Sequence, residues 1–188
     1  MMAEKIVRLW KCVPKGMVSH GHKWRVGTWY TYDGELKLCE CGFHAFALLP
    51  DAFWFVSPVN VCAVSVRGEV LQDTDKWCVR EMRIDRVYRW TKRDSVEFAC
   101  WCARRVLPLF EKENPADSRP RKAIRAAEAW FKNPTKKNAA ASRAAAWDAW
   151  AAWDAWAAWA AGAARAAAGA EKKAQHKKIL TMLKKKEG

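Results

Sequence analysis

Five tryptophans recur at every third position of an alanine-rich tract: Trp147, Trp150, Trp153, Trp156 and Trp159. From Lys136 onward the residues are helix formers almost to the end of the chain. At about 100° per residue, each three-residue step turns the next ring by about −60°, so the five indoles wrap roughly two-thirds of the helix circumference. A solitary surface helix would expose too much apolar area with such a pattern. The tract therefore requires enclosure, by its own helical bundle or by a second copy of the chain, and a homo-oligomer through this helix is an expectation. The rings serve either as core or as walls that stack on a base or another planar group. Asp148 and Asp154 interrupt the apolar surface and need partners such as Arg143, Arg165 or an indole N–H. Those charges, with the absence of any uncharged apolar run of 18 residues, argue against a membrane span.

Charge is unevenly spread over the 188 residues. The net charge is +14. Residues 95–188 carry 19 Lys and Arg against 9 Asp and Glu, whereas residues 1–94 carry 15 against 11. Such a field suits an anionic partner (nucleic acid, a nucleotide, an acidic protein or a membrane surface), or it serves solubility alone. Seven cysteines, an odd number without disulfide-framework spacing, read as free thiols. Met1 to Trp10 is too polar for the apolar core of a secretion signal, so a reducing cytoplasm is expected.

The sequence changes texture near residue 93 and predicts an α+β chain: a small mixed sheet domain over residues 1–92, then an Ala/Trp-rich helical bundle over 94–188. Strands are expected at Lys5–Val13 and Trp24–Tyr30, with a hairpin at Asp33-Gly34. A short helix suits Pro50–Phe55. Val59–Val70 alternates as a buried strand with Val64, Val66 and Val70 on one face, and Val79–Ile84 is its antiparallel neighbour across a turn near Asp73-Thr74-Asp75. Asp94-x-x-Glu97 reads as a capping box opening a helix over about 95–112, with a kink at Pro108. A second helix, capped by Asp117 or Ser118 and tolerating Pro120 in its first turn, spans about 118–132 and stops at Asn133-Pro134. The third runs over about 136–186, with a break expected near Gly162 or Gly169.

Two stretches carry a family resemblance. Phe98 to Glu111 contains Arg105-Val106-Leu107-Pro108-Leu109-Phe110-Glu111. It is followed by Asp117-x-Arg119-Pro120-Arg121-x-Ala123-Ile124, by Ala129-Trp130 and by the alanine-rich tract. Over residues 95–170 this resembles a family of bacterial and phage immunity proteins, although the tract carries Trp where that family often carries His. Leu38-Cys39-Glu40-Cys41-Gly42-Phe43-His44-Ala45, with Val66-Arg67-Gly68-Glu69-Val70 after it, is similar to an uncharacterised phage domain. Together these resemblances imply a phage or prophage origin and a bacterial host, but a family is not a mechanism.

The leading candidate site is Asp117-Ser118-Arg119-Pro120-Arg121, two guanidinium groups at a helix N-terminus, where backbone N–H groups favour anions. Arg125 lies one turn on, Arg104 or Arg105 can reach from the preceding helix, and Trp101, Trp130 or Trp147 with Arg143 would complete a stacking face. The alternative is that Asp117 caps the helix and the arginines pair with Asp148, Asp154 or Glu128. Cys39, Cys41 and His44 are weak metal candidates, because Cys-x-Cys lacks the usual spacing and no second pair follows. No cofactor is expected.

A binding protein is therefore expected rather than a catalyst. The first hypothesis is phage counter-defence by sequestering a small anionic immune signal, a cyclic nucleotide or an ADP-ribose derivative. The second is a protein inhibitor of a toxin or defence enzyme with an acidic surface. The third is an ADP-ribosyltransferase-like enzyme carried by residues 1–92, with Glu69 or Glu81 as alternatives for its carboxylate and His44 nearby in sequence, and the fourth is salt-sensitive, non-specific nucleic-acid binding.

Overall fold

The computed structural model describes residues 6–19, 21–52 and 59–186, with side chains outside 145–168. The chain is mixed: an antiparallel sheet is followed by helices, and by contact it divides into Met1–Thr91 with Lys172–Gly188 as one unit and Lys92–Glu171 as the other. The final turns of the chain, expected with the helices, thus group with the sheet.

The first unit holds β1 (Val7–Pro14), β2 (Val18–Ser19), β3 (His22–Lys23), β4 (Trp29–Thr31), β5 (Phe43–Phe46), α1 (Leu49–Ala52), β6 (Val59–Gln72) and β7 (Lys76–Trp90). Strands β2 and β3 form a separate two-stranded ribbon. Among the others the hydrogen-bonded order runs β7-β5-β1-β6, and β6 pairs β7 again, so the strands close on themselves with β4 added along β7. Closure leaves few open edges and encloses an apolar core. Leu9 and Val13 of β1, Phe43, Val64, Val66, Met82 and Ile84 fill it.

Several expectations from the sequence need correction here. The 24–30 strand is confined to Trp29–Thr31, because Gly27 takes φ +81° and its N–H donates to Ile84 O at 2.8 Å. No hairpin forms at Asp33-Gly34; β4 pairs β7, and the Arg80 guanidinium holds the segment by donating to Tyr32 O at 2.8 Å and to Gly34 O. Val70 does not share a face with Val64 and Val66. Between Arg67↔Glu81 and Val70↔Val79, β6 advances three residues while β7 advances two, and this bulge at Gly68 (φ +77°) reverses the alternation. Val64 and Val66 are fully buried, whereas Val70 is 36% exposed.

The second unit holds α2 (Lys92–Glu113), α3 (Arg119–Lys132) and most of α4 (Lys136–Lys184). Helix α2 starts two residues before Asp94, which lies in its first turn instead of capping it, and Pro108 lies inside it. Cys100 and Leu107, flanked by Val96 and Ala103, recur at helical spacing on α2 and pack on Ile124, Ala127 and Phe131 of α3. Ser118 is the N-cap of α3 without a side-chain capping bond. Instead, Asp117 accepts the Arg119 backbone N–H at 3.0 Å. Helix α4 is continuous through Gly162 and Gly169, where a break was expected. Each glycine costs about 1 kcal/mol relative to alanine, which the flanking alanines absorb. The enclosure expected for Trp147 to Trp159, and the partners expected for Asp148 and Asp154, lie outside the described side chains. Among the described residues no helix is long and apolar enough to cross a membrane.

Within the first unit, Ile179, Met182 and Leu183 of α4 are buried. His176 Nδ1 accepts the Leu49 N–H at 3.0 Å, Trp10 packs edge-on to the same ring, and Lys172 pairs with Asp51 at 2.7 Å. Burial holds His176 below its ordinary value of 6.5, and only the neutral ring can accept that bond. Its contribution is complete above pH 6.5. It declines as pH falls from there towards the lowered folded value, because the unfolded chain takes up the proton first. His176→Asn, which keeps an acceptor but cannot titrate, is expected to flatten the loss of stability just below pH 6.5 in urea unfolding. An unchanged pH slope refutes this role.

Candidate functional site

Of the arginines expected to face an anion, Arg104, Arg105, Arg119 and Arg121 are closed by carboxylates of the protein itself. Arg104 on α2 grips Glu128 on α3 through two N–H groups, the second at 2.6 Å. Arg119 forks onto Asp117 at 2.9 and 2.8 Å, and Arg121 reaches back to Glu111 at 2.7 Å. Arg105 bridges to Glu171 at 2.8 Å. Arg119 holds the Asp117 carboxyl down at about 2, and the partner guanidinium groups lower Glu111 and Glu128 as well. Two planar forks and one charge on each side make these pairs geometrically specific, although solvent screens them and keeps their contribution to stability small.

The stacking partners are also engaged. Trp101 carries the Arg105 guanidinium at 4.8 Å and stacks on Phe98, and Trp130 carries the Lys92 ammonium at 5.8 Å. Arg125 and Arg143 are exposed. Trp147 lies outside the described side chains. What remains is a cationic stripe on α3. Lys122, Arg125 and Lys132 are all exposed at helical spacing, with the small Ala129 between them, and none forms a salt bridge among the described residues.

The first unit contains a second constellation. A cavity of about 160 Å³ is lined by Lys11, the β2–β3 ribbon (Ser19, His22), Trp24, Tyr32 and the turn from Cys39 to His44. Cys39 takes φ +68°, and its N–H donates to His44 Nε2 at 3.0 Å, so that nitrogen is committed as an acceptor. Among the described residues no group of three His, Cys, Asp or Glu is placed to hold a metal. Gly42 (φ +96°) closes the turn where a Cβ would meet Cys78 Sγ at 2.6 Å and Leu36 Cδ2 at 2.8 Å. The carboxylates expected for an ADP-ribosyltransferase are committed elsewhere: Glu81 to Arg67 at 2.7 Å and Glu69 to Arg80.

Residues 87–181 match the family model described as "Imm-5 like putative immunity protein". The chain belongs to that family. Residues 7–94 of this Imm-5 like protein match a second model, "Domain of unknown function (DUF7666)". Neither a curated protein nor a solved structure matches it.

The sequence reading of the Imm-5 like protein missed Lys11. It stands on the inward face of β1 between Leu9 and Val13, only 7% exposed. Its Nζ donates to His44 O at 2.9 Å and lies 5.7 Å from the Trp24 ring centre. Burial pulls its pKa down to about 8, while the neighbouring Cys12 and Cys62 thiols are pushed up to about 12 by burial and stay neutral. The signal in the sequence was one cation at an apolar position of a period-two pattern.

The sign of the Lys11 effect follows from the folded value lying below the unfolded 10.5. Below pH 8 both states are protonated and the folded state bears the full desolvation penalty. Between pH 8 and 10.5 the folded state loses its proton first, and stability rises. Lys11→Met is expected to raise stability at pH 7 by about 1–3 kcal/mol and to flatten that alkaline rise. Denaturant titrations across this range check both. Gly42→Ala is expected to cost more than about 1 kcal/mol, from the positive φ and the Cys78 contact together; an unchanged denaturation midpoint would show that the turn relaxes freely.

Proposed function

We propose that this Imm-5 like protein neutralises a toxin or defence enzyme by binding an acidic surface on it through α3. The observation that carries this reading is the pairing pattern. The guanidinium forks are held by internal carboxylates, while Lys122, Arg125 and Lys132 are exposed and form no salt bridge among the described residues; Glu128, already gripped by Arg104, acts on Arg125 and Lys132 only through its field. Such a stripe accelerates encounter with an acidic partner and selects against basic ones. The family assignment supports an immunity-type role. Seven free thiols suit a reducing bacterial cytoplasm, the setting of a phage or prophage gene product.

The rival reading is counter-defence by sequestering a cyclic nucleotide or ADP-ribose derivative between Arg104, Arg119, Arg121 and nearby indoles. It requires forks that are already occupied, so binding would first have to break several ion pairs. Native mass measurement of the protein isolated from its host separates the two. A bound protein is expected, released as salt rises past about 0.2 M, where screening shortens to under 8 Å. The same partner should be lost from Lys122→Glu/Arg125→Glu/Lys132→Glu. A co-purifying nucleotide, or a large thermal shift with cyclic dinucleotides or ADP-ribose, overturns the proposal.

A further inference from the structure

The cavity beside β1 has features that the α3 surface does not explain. Its walls are aromatic. Phe43 stands at 68° to Trp24 and at 76° to His22, each with ring centres 5.1 Å apart, so the rings form an edge-on corner. Trp24 is fixed there by its Nε1–H, which donates to Ser19 Oγ at 2.8 Å. One cation stands among the lining residues. Lys11 Nζ has three N–H donors, and His44 O is the one acceptor it meets among the described residues. No carboxylate forms a salt bridge with it there. Glu40 also lines the cavity but is exposed. A cation taken from water into an apolar strand face destabilises the fold unless something pairs with it.

Size then limits the guest. An apolar cavity of about 150 Å³ takes up benzene, so about 160 Å³ accommodates one ring with a small substituent. We propose that the cavity binds a small planar monoanion, one aromatic ring bearing a single carboxylate, with the carboxylate on Lys11 and the ring against Trp24, His22 and Phe43. A carboxylate supplies lone pairs for the two remaining Lys11 donors and is flat like the ring that carries it. One ammonium balances one negative charge, and Glu40 at the exposed edge disfavours a second, which selects against a phosphate dianion. This site stands independently of the α3 reading, since it uses none of the same residues.

Benzoate is the probe, with benzamide as its neutral isostere, titrated calorimetrically into the full-length protein. Benzoate is expected to bind at least about tenfold more tightly than benzamide. Lys11→Met should lose that preference while keeping its affinity for benzamide. A second readout needs no variant: benzoate should shift the Trp24 indole N–H resonance selectively among the indoles. Equal affinity for the two probes, a preference that survives in Lys11→Met, no binding at about 10 mM, or shifts that spare Trp24 each overturn the proposal.

Discussion

Strand β7 hydrogen-bonds to β4 and β5 along one edge and to β6 along the other, and the closed ring of the first unit exists because of that double use. Fifteen residues are long enough to serve both partners in succession: Lys76 to Val79 face β5, and Glu81 to Arg83 face β4. The Gly68 bulge lets β6 keep pairing past the bend, since an extra residue there adds local twist. Closure on the far side needs β1 to meet β5, which it does at Trp10↔Phe46. That register brings the next residue of β1, Lys11, beside the carbonyl of His44, two positions from Phe46. The place of the aromatic cavity thus follows from how the ring closes, and its one cation is set in place by backbone pairing.

In the second unit the governing fact is a shortage of carboxylates. Arginine forks fit carboxylates bidentately and are less strongly hydrated than lysine, so they capture the acids first. Glu111, Asp117, Glu128 and Glu171 are used this way. Each exposed pair adds little stability. The larger effect is on the field, because Lys122, Arg125 and Lys132 of α3 stay exposed and outside any salt bridge among the described residues.

Elements set by local chemistry were legible in the sequence. The β6–β7 pair declared itself by alternating valines around Asp73-Thr74-Asp75, and the turn closes where Asp73 N–H meets Lys76 O at 2.9 Å. The start of α3 was readable from Pro120, which a first turn tolerates. What failed was non-local. Gly34 suggested a tight hairpin, yet its lack of a side chain makes room for Tyr32, whose phenol oxygen lies 2.7 Å from where a Cβ would stand. Of the arginine partners, Glu128 was foreseen, whereas Glu111 and Glu171 were not. Arg105 and Glu171 are 66 positions apart, and only packing brings them together.

The surroundings of Lys11 show why a charged residue at an inward strand position is informative. The nearest titratable neighbours, Cys12 and Cys62, hold their protons up to about pH 12, so neither provides a thiolate counter-charge at neutral pH. The Trp24 face and one carbonyl stabilise the ammonium partially. Methionine would fill the same space on the inward face of β1 without any desolvation penalty, and folding alone would favour it. A lysine there is costly to the fold, and the proposed guest would offset that cost by bringing its own negative charge.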